Sequence, residues 1–178
     1  ARQDAYVRSH PLAGSRIATL RAAVAKAPPG RSLAVFDAAL ARIQAKIFAF
    51  AENPGRTFRR YPMEDNSVAA RFARSIAYHR DNDAEAALSA IDGLLADYPE
   101  DPFFHELKGQ FLFEQGQAAA AIPPLQRALQ IMPNQSLILL ALGQAEIAAG
   151  DPAVNREAIG HLQKSVLMEP RLGSAWRQ

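Results

Sequence analysis

Prolines at positions 99, 133 and 170 each close a segment written to one pattern: "AEAALSAIDGLLADYP", "QAAAAIPPLQRALQIMP" and "NREAIGHLQKSVLMEP". The first two prolines are 34 residues apart and the last two 37. A unit of this length is one supersecondary element that cannot bury its apolar face alone, so it is stable only when stacked on copies of itself. Such arrays bind other molecules far more often than they catalyse.

The rest of the composition agrees with helices. Alanine and leucine are abundant, and Gly and Pro fall between periodic segments as punctuation. At 178 residues the chain has the length of one domain. It contains no apolar run of about 18 residues, so no membrane-spanning segment is expected, and no signal peptide is visible. The absence of cysteine excludes disulfides and thiolate metal sites and leaves the compartment open. The net charge of +2 conceals an asymmetry: residues 1–65 carry 11 Lys and Arg against 5 Asp and Glu, residues 66–178 carry 9 against 13. Either one half docks on another surface, or these are solvated charges distributed by chance. The basic cluster "RTFRR" is short and the cations are not interleaved with aromatics, so nucleic acid is not an expected partner.

Along the chain, residues 1–14 read as extended or irregular, and Ser15 caps a helix of about 15–27 whose Ile17, Leu20 and Val24 share a face. Pro28-Pro29-Gly30 stops it. A longer helix of about 32–52 carries Leu33, Phe36, Leu40, Ile43, Ile47 and Phe50 at spacings of three and four. Asn53-Pro54-Gly55 ends that helix, and "RTFRRYPMEDNS" reads as a linker. Three hairpins follow, with helices at about 67–80 and 84–97, 102–115 and 118–131, and 135–149 and 154–168. The three extra residues of the last unit fall in its Gly150-Asp151-Pro152 turn, where an array tolerates insertion.

The register is that of the tetratricopeptide repeat (TPR), which takes a small residue at position 8, alanine at position 20 and proline at position 32. The first repeat supplies Ser75, Ala87 and Pro99, the second Gly109, Ala121 and Pro133, the third Gly143, Ala158 and Pro170. The expected fold is all-α: a TPR-like right-handed α-solenoid of helical hairpins preceded by two N-terminal helices. Residues 1–65 form the leading part and residues 66–178 the array, with repeats at about 67–99, 101–133 and 135–170. A fourth repeat starts at 171–178 and places Trp176 at its aromatic position. That truncated repeat, and the opening at Ala1 without Met, read as a piece of a longer protein. Arg71 and Arg74 break the pattern at apolar positions of the first repeat. Either its first helix is rotated so that Phe72 and Ile76 face the core, or the repeat is degenerate.

No motif in the chain completes an active site. "HELKG" at His105–Gly109 begins like the zinc-protease HExxH but has Gly109 in place of the second histidine. His79 and His161 lack partners at ligand spacing, and no metal site is expected. The segment "SHPLAGSRI" carries a different signal. With "Y-x-x-S-H-P-L" at Tyr6–Leu12, "ENPGRTFRRYP", "RFARSIAYHRDND" and "DPFFHELKGQFLFEQG", the whole chain resembles the end of the peptidase domain and the TPR domain of bacterial periplasmic zinc metallopeptidases. These are the assembly-enhancing proteases of the outer membrane, within the CAAX-prenyl-protease superfamily. The resemblance implies an HExxH helix and a third glutamate ligand upstream, zinc in the parent protein and none here, and a periplasmic location. It also implies that residues 1–65 close the peptidase domain, and that His10 and Arg16 reach the zinc cleft as accessory catalytic groups.

The array itself offers a groove. In a TPR, positions 2, 5, 9, 12 and 13 of each first helix line the concave face. Here these are Phe103, Glu106, Gln110, Phe113 and Glu114, then Leu137, Leu140, Gln144 and Ile147, with His79 and Arg80 from the first repeat. Apolar patches set among amides and carboxylates suit a peptide or protein segment, or the chain's own upstream peptidase domain. The expected function is protein–protein interaction serving a metalloprotease, the alternative a stand-alone TPR adaptor.

Overall fold

The computed structural model describes residues 13–26, 34–150 and 155–169. His10, Pro170 and Trp176 lie outside them. Among the described residues there are nine helices and no strand: α1 (Ala13–Lys26), α2 (Ala34–Ala51), α3 (Pro54–Arg60), α4 (Val68–Arg80), α5 (Ala84–Asp97), α6 (Pro102–Glu114), α7 (Ala118–Ile131), α8 (Ser136–Ala149) and α9 (Asn155–Met168). The chain divides into two units, Ala1–Asp37 and Ala38–Gln178. The first contains α1. The second holds the repeats, and its hairpins are α4–α5, α6–α7 and α8–α9.

Local chemistry fixes the helix ends. The side chains of Ser67, Asp83 and Asp101 accept the Ala70, Ala86 and Phe103 backbone N–H groups and so satisfy otherwise orphaned donors. The first two hairpin turns pass through Asn82 and Gly116, and α8 ends at Gly150, all at positive φ, where glycine and asparagine are tolerated best. Ahead of α4, the Ser67 N–H donates to Asp65 Oδ1 at 2.9 Å. That bond, with the Ser67 hydroxyl and then the Arg74 guanidinium, holds the Asp65 carboxyl below its usual range. Pro123 and Pro124 lie inside α7 and leave the Ala119 and Ala120 carbonyls without helical donors. Both alanines are exposed, so water substitutes.

Two expectations need correction. Residues 56–60 of the expected linker are helical, in α3. Asn53, read as a helix stop, also starts α3: its side chain accepts the Arg56 N–H at 2.9 Å and Pro54 occupies the first helical turn, where a missing N–H costs nothing. Ser15 is not a cap, because α1 begins at Ala13 and takes in the end of the segment expected to be extended.

The helices of the second unit pack as a TPR-like α-solenoid. One cluster joins Phe72 and Ile76 of α4, Ile91 and Leu94 of α5, and Phe104, Leu107 and Phe111 of α6, with Ala45 and Ala49 of α2 added to it. A second joins Leu112, Leu125, Ala128, Ile138 and Leu142. The small residues at position 8 permit close helix crossings. A Cβ on Gly109 would lie 2.5 Å from Leu125 Cγ, and one on Gly143 2.7 Å from Leu162 Cγ. Ser75 in the first repeat is fully buried and turns its hydroxyl onto the Phe72 carbonyl at 2.8 Å.

The first repeat keeps the shared register without rotation: Ala70, Ala73, Ser75 and Ala77 are buried where Phe104, Leu107, Gly109 and Phe111 are in the second. Phe72 and Ile76 face the core as well, in the cluster that includes Ala45 and Ala49. Arg74 is buried too, and its Nη1 donates to the carbonyls of Pro62 at 2.5 Å, Asp65 at 2.8 Å and Tyr61 at 3.4 Å. Arg71 reaches the opposite helix and pairs with Asp97 at 2.6 Å.

Candidate functional site

The A helices α4, α6 and α8 begin at residues 68, 102 and 136, and α2 begins at 34. The 34-residue period therefore extends one helix further back than the proline pattern shows. In this register Arg42 and Lys46 of α2 take positions 9 and 13, the same as Gln110 and Glu114 of α6.

Those two cations hold α2 to α6. Arg42 makes a bidentate pair with Asp101, Nη1–Oδ2 2.7 Å and Nη2–Oδ1 3.0 Å, in the fork geometry that makes such pairs strong. Its guanidinium also lies 4.6 Å from the Phe104 ring centroid and 5.7 Å from that of Phe103. Lys46 Nζ approaches Glu106 at 3.7 Å. Asp101 thus serves twice, as the α6 cap and as the Arg42 partner. At the other end of α2, Arg80 donates to the carbonyls of Ala49 and Glu52 and neutralises the negative helix terminus.

The expected groove residues divide into two groups. His79 stacks on Phe111, with ring centroids 4.3 Å apart, and meets Glu114 Oε2 at 2.6 Å, while Gln110 donates to the other Glu114 oxygen at 2.8 Å. Together with Arg80 and Glu106, these side chains are engaged within the molecule. Leu140 is buried beside Leu162 and Val166, and Phe113 packs half-buried against the second core cluster. Phe103, Leu137 and Ile147 remain exposed, and Gln144 is half-buried. The open apolar surface therefore lies at Phe103 on the second repeat and at Leu137 and Ile147 on the third.

Of the accessory pair, His10 is outside the described residues and Arg16 lies within α1. The "HELKG" histidine is structural here, with Nε2 of His105 2.8 Å from the Pro99 carbonyl oxygen. Among the described residues no three His, Asp or Glu side chains cluster as a metal would need, and no helix is long and apolar enough to cross a membrane.

Sequence reasoning missed Arg42, Lys46, Asp101 and Glu146. The first three were legible in the 34-residue spacing of helix starts, had it been carried back to residue 34. Glu146 is fully buried. Its Oε2 lies 2.8 Å from His161 Nδ1, and its Oε1 has no partner among the described residues. It occupies the position filled by Tyr78 and Leu112 in the other repeats, and nothing in the local sequence marks it as buried.

A tetratricopeptide repeat family model matches residues 112–154, which span α7 and α8. Two curated proteins are similar over 110 residues at 33% identity: cellulose synthase operon protein C from Escherichia coli strain K12 and its counterpart from Escherichia coli O157:H7. The matched stretch is 61% of this chain and 9% of either relative, so the chain spans under a tenth of their length. The repeat match and the helical register agree: the chain contains TPR repeats within an all-α, TPR-like solenoid, and such repeats indicate protein–protein interaction.

Proposed function

We propose that the chain is the partner-binding portion of a larger protein and that it holds a polypeptide against the concave face of its second and third repeats. The observation that carries this is the exposure of Phe103, Leu137 and Ile147 at groove positions of successive A helices. Apolar anchors on a rigid frame, bordered by the half-buried Gln144, are what peptide-binding helical arrays present.

The finer reading places this array in a periplasmic zinc metallopeptidase of the outer-membrane assembly type. There it would dock substrate or assembly partners and pack against the peptidase domain. The support is the His10-Pro11 and Arg16 motif some 50 residues before the first repeat, together with the resemblance along the chain. In that setting zinc is held by residues upstream of this chain and supplies Lewis-acid chemistry there. His10 and Arg16 would donate to the developing oxyanion. The stand-alone adaptor is the second reading. It is favoured by the similarity to cellulose synthase operon protein C, which supports the repeats alone.

The two readings separate in one experiment on the full-length protein. If the peptidase reading holds, His10→Ala and Arg16→Ala each lower proteolytic turnover about a hundredfold, the scale of a lost oxyanion donor, while thermal melting of residues 1–178 is unchanged. No proteolytic turnover in the wild-type protein, or an upstream sequence lacking HExxH, leaves the adaptor; wild-type turnover in both variants removes the accessory role of His10 and Arg16.

A further inference from the structure

We propose that the cleft between α7 and α9 binds a divalent transition-metal ion such as Zn²⁺, with His161 Nε2 and the Glu157 carboxylate as its protein ligands. The site lies between B helices and is independent of the partner-binding and peptidase readings.

Three observations converge on it. First, Glu146 is a fully buried carboxylate whose one partner is an imidazole. Nδ1 of His161 lies 2.8 Å from Glu146 Oε2, and Oε1 has no partner among the described residues. A carboxylate facing Nδ1 assigns the ring proton to that nitrogen and leaves the Nε2 lone pair free. The same arrangement stands behind metal-ligating histidines, where a carboxylate fixes the tautomer and raises the basicity of the other nitrogen. It also gives the buried Glu146 a use, because negative charge behind the ring favours a cation in front of it.

Second, His161 shares its cavity with another ligand. The cavity holds about 440 Å³ and is lined by Gln126, Leu129, Gln130, Leu142, Glu157 and His161. Glu157 and His161 are four residues apart on α9, so they are neighbours on one helix face with Cβ atoms about 5–6 Å apart. That separation suits an ion held at roughly 2.0–2.2 Å from each ligand atom.

Third, the lining supplies acceptors and contains no Lys or Arg. Gln126 offers an amide oxygen from α7. Gln130 Oε1 already accepts from Arg127 Nη1 at 3.1 Å, and Arg127 turns its other terminal nitrogen to Glu100. No third imidazole or carboxylate joins His161 and Glu157 at the cavity, in keeping with the lack of a three-residue cluster, so the ion keeps water on its remaining positions. Such an open site binds more weakly than a closed one. The imidazole nitrogen selects zinc, nickel or copper over magnesium and calcium, which prefer oxygen alone.

The test titrates residues 1–178 with ZnCl₂ by isothermal calorimetry, with MgCl₂ as the contrast ion. The proposal expects saturable zinc binding at one site and no magnesium binding. His161→Ala abolishes it, and Glu157→Gln weakens it at least tenfold. Glu146→Gln keeps the buried shape but removes the charge behind the ring, and weakens binding about tenfold to a hundredfold. His105→Ala leaves it unchanged. Glu157 is exposed, so its variant keeps the wild-type melting temperature even if Glu146→Gln unfolds the third repeat. Absence of saturable zinc binding, or binding indifferent to His161→Ala or to Glu157→Gln, overturns the proposal. So does wild-type zinc affinity in a folded Glu146→Gln variant, which removes the orienting carboxylate from the account.

Discussion

Arg74 and Glu146 are both charged side chains buried on A helices, and the array treats them oppositely. Arg74, in the first repeat, is received by three backbone carbonyls of the segment before α4. Glu146, in the third, has one oxygen on His161 and the other on nothing among the described residues. A buried charge is tolerable when its hydrogen-bonding capacity is filled and costly when it is not. The first repeat thus uses its odd residue to fasten the entry segment, whereas the third carries a polar defect where its neighbours place Tyr78 and Leu112.

The largest expected effect lies at the close helix crossings that the second and third repeats share. Gly109→Leu and Gly143→Leu each force a side chain into a helix crossing with no room for a Cβ. Each should destabilise the domain by about 3 kcal/mol or more, beyond the usual overpacking range because backbone must move. Chemical denaturation reads this directly, and an unchanged midpoint in either variant would show that the register of that repeat is misassigned.

The comparison itself predicts opposite signs for like substitutions. Arg74→Leu removes the charged donor that three carbonyls of the entry segment share and should cost about 2 kcal/mol. Glu146→Leu places in the third repeat the residue that the second already uses, and frees His161, whose side chain is 30% exposed, to meet water. Its expected effect is neutral to stabilising by about 1 kcal/mol. If Glu146→Leu destabilises as much as Arg74→Leu, the defect is no defect. A smaller effect belongs to Arg42→Ala, which removes a pair with side chains 25% and 15% exposed and its aromatic stacking. About 1–2 kcal/mol is expected, read as a lower melting temperature.

The smallest effect concerns Asp65. Its carboxyl is held below the usual range in the folded chain, so its contribution is present above the unfolded value and disappears as pH falls through the folded one. Ser67→Gly removes the hydroxyl but keeps the backbone N–H, the larger cause, so the Asp65 titration seen by NMR should move up only part of the way. No movement would assign the depression to the N–H and Arg74 alone.

How much of this was legible in sequence follows from the physics of each part. Helix ends announced themselves because caps and positive-φ turns need particular residues, such as Asp83, Gly116 and Gly150. The small residues at 109 and 143 marked the close crossings for the same reason. Asn53-Pro54 was ambiguous, since one dipeptide both stops a helix and starts another. The groove was less legible. Position numbers name a face, but whether Leu140 points to solvent or Glu114 stays free depends on side chains arriving from α9 and α4. The pairing of Arg42 with Asp101, 59 residues apart, shows in no local pattern and only through the 34-residue period extended back to α2.

The claim that the concave A-helix surface is where a partner binds is tested most directly by site-specific photo-crosslinking in cells. A photoreactive phenylalanine analogue at Leu137 or Gln144 faces the proposed groove, whereas one at Ala119 lies exposed on the B helix α7. The account predicts a discrete crosslinked polypeptide from positions 137 and 144 and none from 119. Crosslinking from 119 with none from 137 or 144 would contradict it.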